Sequence, residues 1–307
     1  MAAAVCVGLT SAGSAQAAPT AQEVENQIDK QWEQLEPTIE QYNKVHNQLL
    51  ANQKKAKELE DKIQPLSLQT DLAMTRVGGI AAKYYKIGPS SEVNAMLATG
   101  DPGTLTEQLT ILDRLARDEQ RQIADVVAAR DKFNAEKQRL DALIVQLARQ
   151  DADLAAKKKQ IDAEIKRLEK LRETAVGKVT IDVGACPAVT VIGKAAIAVR
   201  TACQQLGKMY KWGSTGPNTF DCSGLTQFAW KKAGVSLTHF TGDQWNEGRP
   251  ISKSEARAGD LVFFFADRHH VGIYLGNNLM VHASRAGQPV KVANIQYMPV
   301  AGFRRVA

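Results

Sequence analysis

The sequence predicts an α+β chain in two parts: an antiparallel helical coiled-coil hairpin, then a small domain of helices packed on an antiparallel sheet. Three observations predict it. A seven-residue apolar repeat runs through residues 21–175 and then stops. Two clusters of helix-breaking residues, Gly88-Pro89-Ser90-Ser91 and Gly100-Asp101-Pro102-Gly103, divide that repeat. Beyond residue 195, short apolar runs bounded by turn signals take its place.

The repeat places Ile28, Leu35, Tyr42, Leu49, Ala56 and Ile63 at one spacing, then Val126, Phe133, Leu140, Leu147, Leu154, Ile161 and Leu168. Such a spacing keeps one seam of a helix turned to a partner helix. A short helix, Glu92 to Leu97, is expected between the breaks. Pro37 and Pro65 should kink or restart the first arm. The second arm, Thr104 to about Ala175, would be roughly 100 Å long at 1.5 Å per residue. An arm of this composition spaces, docks or regulates and offers no chemistry. Residues 176–194 carry Gly177, Gly184 and Pro187 without the repeat and read as a linker. The second domain is set at residues 195–307.

A chain of 307 residues with 44% hydrophobic and 23% charged residues is ordinary globular material for two domains. Ala2 to Leu9 is a short apolar run followed by Ala15-Gln16-Ala17, an A-x-A site, so residues 1–17 are predicted to be a cleaved export signal. The run lacks the usual basic start, which suggests an initiator upstream of Met1. No run of 18 apolar residues follows, so no transmembrane helix is expected. Secretion to the cell exterior and association with the cell wall are the expected localisation. Four cysteines are too few for a disulfide scaffold. Cys6 leaves with the signal. Cys186 and Cys203 either pair or remain two buried thiols.

Charge is uneven. Thr20 to Lys178 holds 25 Lys/Arg against 26 Asp/Glu, whereas Val179 to Ala307 holds 14 against 7. The basic half suits an anionic partner, and with an export signal an anionic wall fits better than nucleic acid.

Chemistry is expected around Cys222. Ser223 to Ala233 reads as a helix stopped by Gly234, which puts Cys222 at a helix N-terminus, where the helix field favours thiolate. Asp260 to Phe265, His270 to Leu275 and Leu279 to His282 read as strands, with Gly276-Asn277-Asn278 as the turn between the last two. His270 and His282 share a face only in an even cross-strand register. A three-residue connection gives that register and pairs His282 with Gly272 or with His270; a two-residue turn would separate the histidines. His270 is then the candidate base and His282 the group that orients it. His269 would point to the opposite face of a strand and is read as loop or surface, and His239 is placed in a solvated loop. A zinc site would want more closely spaced ligands, so no metal is expected.

Residues 195–307 resemble the NlpC/p60 family of cell-wall cysteine peptidases. The resemblance rests on Tyr210-Lys211-Trp212-Gly213, Asp221-Cys222-Ser223-Gly224-Leu225, Arg257-Ala258-Gly259-Asp260-Leu261-Val262-Phe263-Phe264, His270-Val271-Gly272-Ile273-Tyr274 and Met280-Val281-His282-Ala283. It implies a compact papain-like fold, Cys222 as nucleophile, His270 as base and His282 as third member. Tyr210, Asp221 and Ser223 would shape the substrate and oxyanion end. The implied substrate is the peptidoglycan stem peptide, cut between D-glutamate and the diamino acid without a cofactor. The N-terminal half resembles, in architecture alone, coiled-coil regions that precede such domains. A Cys/His amidase or a lipid acyl hydrolase on the same fold is a second enzyme reading. A scaffold that activates another hydrolase is a non-enzymatic one, although neither Cys222 nor His270 is lost. Residues 20–175 are expected to restrain access to Cys222; the competing expectation is a spacer that docks to a divisome-type membrane complex.

Overall fold

The computed structural model of the protein describes residues 20–87, 98, 102–176 and 181–307. The predicted export signal and the predicted short helix at residues 92–97 lie outside them. The chain divides into two compact units, one holding the residues up to Lys44 together with Ala155–Ala307, the other Val45–Leu154.

Two long helices run through both units, α1 (Ala21–Ile87) and α2 (Pro102–Val176). In the first unit Glu25 bonds Arg172 and Gln31 bonds Arg167, so the two helices run antiparallel there. Ile28, Leu35, Ile161 and Leu168 of the seven-residue repeat are buried. In the second unit Leu49, Ala56, Val126 and Leu154 are buried, and Asn52 donates to Gln150 at 3.2 Å. The expected interruption at the prolines is corrected: α1 is one continuous helix through Pro37 and Pro65. Each proline removes a single backbone hydrogen bond, and packing of Leu35, Ile39 and Leu66 on either side holds the helix. Pro102 opens α2, a first-turn position where its missing N–H has no helical partner to lose.

Among the described residues the rest of the first unit has the α-helices α3 (Gly193–Cys203), α4 (Cys222–Lys232) and α5 (Thr241–Glu247). Its six-stranded antiparallel sheet has the order β1-β6-β2-β3-β4-β5. The strands are β1 (Arg249–Ile251), β2 (Leu261–Phe264), β3 (His270–Gly276), β4 (Leu279–Ala283), β5 (Val290–Asn294) and β6 (Val300–Arg305). Leu225, Ala229 and Trp230 of α4 pack with Phe263, Val271, Ile273 and Val281 in one buried cluster. Val262, Phe264, Tyr274, Met280 and Phe303 form a second.

The β3–β4 connection differs from the expected one and yields the same register. The turn has two residues, Asn277 and Asn278, both at positive φ as this tight turn requires. The ladder shifts between Tyr274 and Gly276, and that extra residue restores the even pairing: Ile273 faces Val281, which sets Gly272 opposite His282. Segment 181–192 is pinned rather than free, because Cys186 and Cys203 form a disulfide and Val292 donates its N–H to the Val183 carbonyl. Among the described residues, no helix is long and apolar enough to cross a membrane.

Candidate active site

Asp221 caps α4. Its carboxylate accepts the Gly224 N–H at 2.7 Å, which fixes Cys222 as the first residue of the helix. Gly224 is required by close approach, since a Cβ there would sit 2.2 Å from the Ser214 carbonyl oxygen. The Asp221-Cys222-Ser223-Gly224 run is therefore one mechanical piece: cap, thiol, hydroxyl, and the space that lets the loop close over it.

His270 begins β3, and its Nε2 lies 2.8 Å from His282 Nδ1. A side chain at residue 272 would crowd this pair, because a Cβ there would come within 3.3 Å of His282 Cβ. Burial, then the neighbouring His270 and Lys291, drive the His282 pKa well below its ordinary value. The shift favours the neutral form of His282. Cys222 Sγ, a ring nitrogen of His270 and a carboxylate oxygen of Glu36 lie within 4.8 Å of one another.

The structure brings together Cys222, His270, His282, Tyr210, Asp221 and Ser223, and adds residues that sequence reasoning missed. Glu36 of α1 accepts from His270 Nδ1 at 2.7 Å, so both nitrogens of that ring are engaged. Glu40 accepts the Thr241 N–H at 2.7 Å and the Ser223 hydroxyl at 3.1 Å, and lies 3.9 Å from Cys222 Sγ. Trp32 packs edge-on against Tyr210 with ring centroids 5.2 Å apart, and Tyr42 does the same to Trp212 at 5.0 Å. Under this cover Cys222 is 1% exposed.

Electrostatics follow from the cover. The expectation of a thiolate is corrected: burial, then Glu36, Glu40 and Asp221, push the Cys222 pKa well above that of an ordinary thiol. These effects outweigh the helix end, which supplies only about half a unit charge. Glu40 is raised from 4.5 to about 7, first by burial and then by the Asp221 charge. Among the described residues the buried Tyr210 hydroxyl has no hydrogen-bond partner, and burial followed by Asp221 raises its pKa.

Two histidine placements are corrected. His239 is buried, with Nε2 2.8 Å from the Asp221 carboxylate. Burial opposes its charge, but Asp221 prevails and the pKa is raised. The loop before α5 turns inward because a buried Asp221 needs a partner. His269 is also buried, stacked on Phe265 at 4.2 Å and bonded to Asp267 at 2.6 Å. It lies in the loop before β3, in keeping with the loop reading, and only the expected exposure is overturned.

Glu36, Cys222 and His270 are the donor types of a small metal site. The 2.7 Å Glu36–His270 separation is a hydrogen-bond distance. It is shorter than the roughly 3.3 Å between two ligands on tetrahedral zinc with bonds of about 2.0 Å.

Residues 207–301 match the NlpC/P60 family, so the chain carries a domain of that family. A probable endopeptidase of Corynebacterium glutamicum is 38% identical over 119 residues, which is 39% of this chain and 57% of that protein. The probable endopeptidase p60 of Listeria monocytogenes is 48% identical over 99 residues, 32% of this chain and 20% of its own. This chain therefore matches little more than half of the first relative's length and a fifth of the second's. The solved peptidoglycan hydrolase RipB of Mycobacterium tuberculosis shares 34% identity over 37% of this chain and 64% of its own, with a TM-score of 0.34.

Proposed function

We propose that the protein is a secreted cysteine endopeptidase that cleaves stem peptides of bacterial peptidoglycan at the D-glutamyl–diamino acid bond, held latent by α1. The observation that carries the reading is the constellation itself: a thiol at the start of α4 beside a histidine whose far nitrogen is held 2.8 Å from a second, buried imidazole.

In the open form His270 Nδ1, released by Glu36, takes the Cys222 proton, while His282 fixes the ring from the other nitrogen. The thiolate attacks the glutamyl carbonyl and forms a C–S bond. The α4 N-terminus, whose first N–H groups lack helical partners, faces the developing oxyanion, with Tyr210 as a hydroxyl donor beside it. The C–N bond breaks as His270 returns the proton to the leaving amine. Water, deprotonated by His270, then splits the thioester and regenerates the thiol. No cofactor enters this sequence.

The Cys186–Cys203 disulfide supports an oxidising compartment, in keeping with the export signal predicted at residues 1–17. Latency is supported by the two carboxylates of α1 placed on His270, Ser223 and Thr241. A divisome-type membrane complex that engages the hairpin is the proposed trigger for release. The test is mass spectrometry of purified wall digested with the mature chain. Fragments cut between glutamate and the diamino acid are expected; free stem peptides detached from glycan would establish the amidase instead.

A further inference from the structure

In the mechanism above His270 protonates the leaving amine, so the amine side of the substrate lies beyond His270 and His282. A cavity of 850 Å³ lies there, lined by His270, His282, Arg285 and Lys291 of the catalytic domain and by Glu25 and Asp29 of α1. Arg285 is 5% exposed. Its guanidinium bonds Glu25, bonds Asp29 at 2.6 Å, and among the described residues has only the Ala286 carbonyl at 3.4 Å besides. Both carboxylates come from α1. None of the seven acidic residues of Val179–Ala307 bonds it. Lys291 adds a second cation, and its pKa is lowered by burial and then by Arg285.

A buried guanidinium left without an anion is costly. Once α1 withdraws, the domain itself offers Arg285 no acidic partner, so an incoming ligand has to bring one. On α1, Glu25, Asp29, Glu36 and Glu40 fall within an arc of roughly 60° at 3.6 residues per turn. This acidic stripe lies along the cleft that the stem peptide, itself a string of carboxylates, must occupy.

Building on that reading of function, we propose that Arg285 is a specificity-determining residue: it receives a free carboxylate of the amino acid released as the amine, and Glu25 and Asp29 of α1 stand in for that carboxylate in the closed form. An arginine that merely latched α1 would make the same contacts, and the substrate preference separates the two roles.

The full chain is opened by the substitutions E25A, D29A and E36K, with opening verified by faster labelling of Cys222 by a thiol reagent. Two soluble stem peptides are compared, identical except that the diamino acid carries a free carboxylate or a carboxamide. With Arg285 present the free carboxylate should lower KM at least tenfold. With Arg285→Ala or Arg285→Gln in the opened chain the KM values of the two peptides should differ less than twofold, and Arg285→Lys should restore part of the preference. Equal KM values with Arg285 present, or a preference surviving its removal, would overturn the proposal while leaving the peptidase reading intact. An opened chain with an accessible Cys222 that cuts neither peptide would overturn both.

Discussion

Replacing Cys222 by alanine is expected to abolish stem-peptide cleavage with the fold retained. Serine should be nearly as inactive, because a hydroxyl is a far poorer nucleophile at neutral pH. His270→Ala should cost at least as much as His282→Ala, the base acting directly and its neighbour through it; kcat on a soluble stem peptide measures both. A different residue, His239, carries stability. It satisfies the fully buried Asp221, which also caps α4, so His239→Ala should cost about 1–3 kcal/mol by leaving that carboxylate underpaired. The pH dependence has a definite sign. The folded His239 pKa is raised above 6.5, so its contribution is complete below about pH 6.5 and fades as pH rises through the folded value. The gap in Tm between wild type and His239→Ala should be widest in acid and narrow in alkali.

At the scale of elements, α1 is a titratable cover. Glu40 faces Asp221, His239, Ser223, Cys222 and Asn43, and its pKa is raised from 4.5 to about 7 while docked. A raised carboxyl favours the docked state below its free value and loses that advantage as pH rises through about 7. Cys222 labelling, corrected for ordinary thiol ionisation, should therefore accelerate through neutral pH in wild type and much less in Glu40→Gln. The disulfide between Cys186 and Cys203 closes a loop spanning 17 residues. Its loss in Cys186→Ser should destabilise the first unit by about 3 kcal/mol, read as a lowered denaturant midpoint. What was legible in the sequence was what is local: the helix behind Cys222, the strands at His270 and Leu279, the seven-residue repeat. The even register was also reached, though a bulge next to a two-residue turn supplies it instead of a longer loop. What escaped is non-local. Glu36 meets His270 across 234 residues of sequence, and a glutamate on the flank of a repeat ordinarily faces water. Nothing in the sequence neighbours of His239 announces the buried Asp221 that draws it in.

At the scale of the molecule, a basic domain and an acidic helical face lie in one compact unit, and the carboxylates of α1 rest on the groups that the proposed chemistry uses. Burial of the thiol, engagement of His270 Nδ1 by Glu36 and occupation of Arg285 all end together if α1 departs. The catalytic geometry and its restraint are thus one arrangement, in which the anions that close the cleft resemble those of the proposed substrate. The most direct measurement is the rate of stem-peptide cleavage by four full-length chains: wild type, the opened E25A/D29A/E36K chain, and each with Cys222→Ala. Wild type should cleave slowly, the opened chain at least tenfold faster, and neither once Cys222 is alanine. Equal rates in wild type and the opened chain, or cleavage that survives the loss of Cys222, would contradict it.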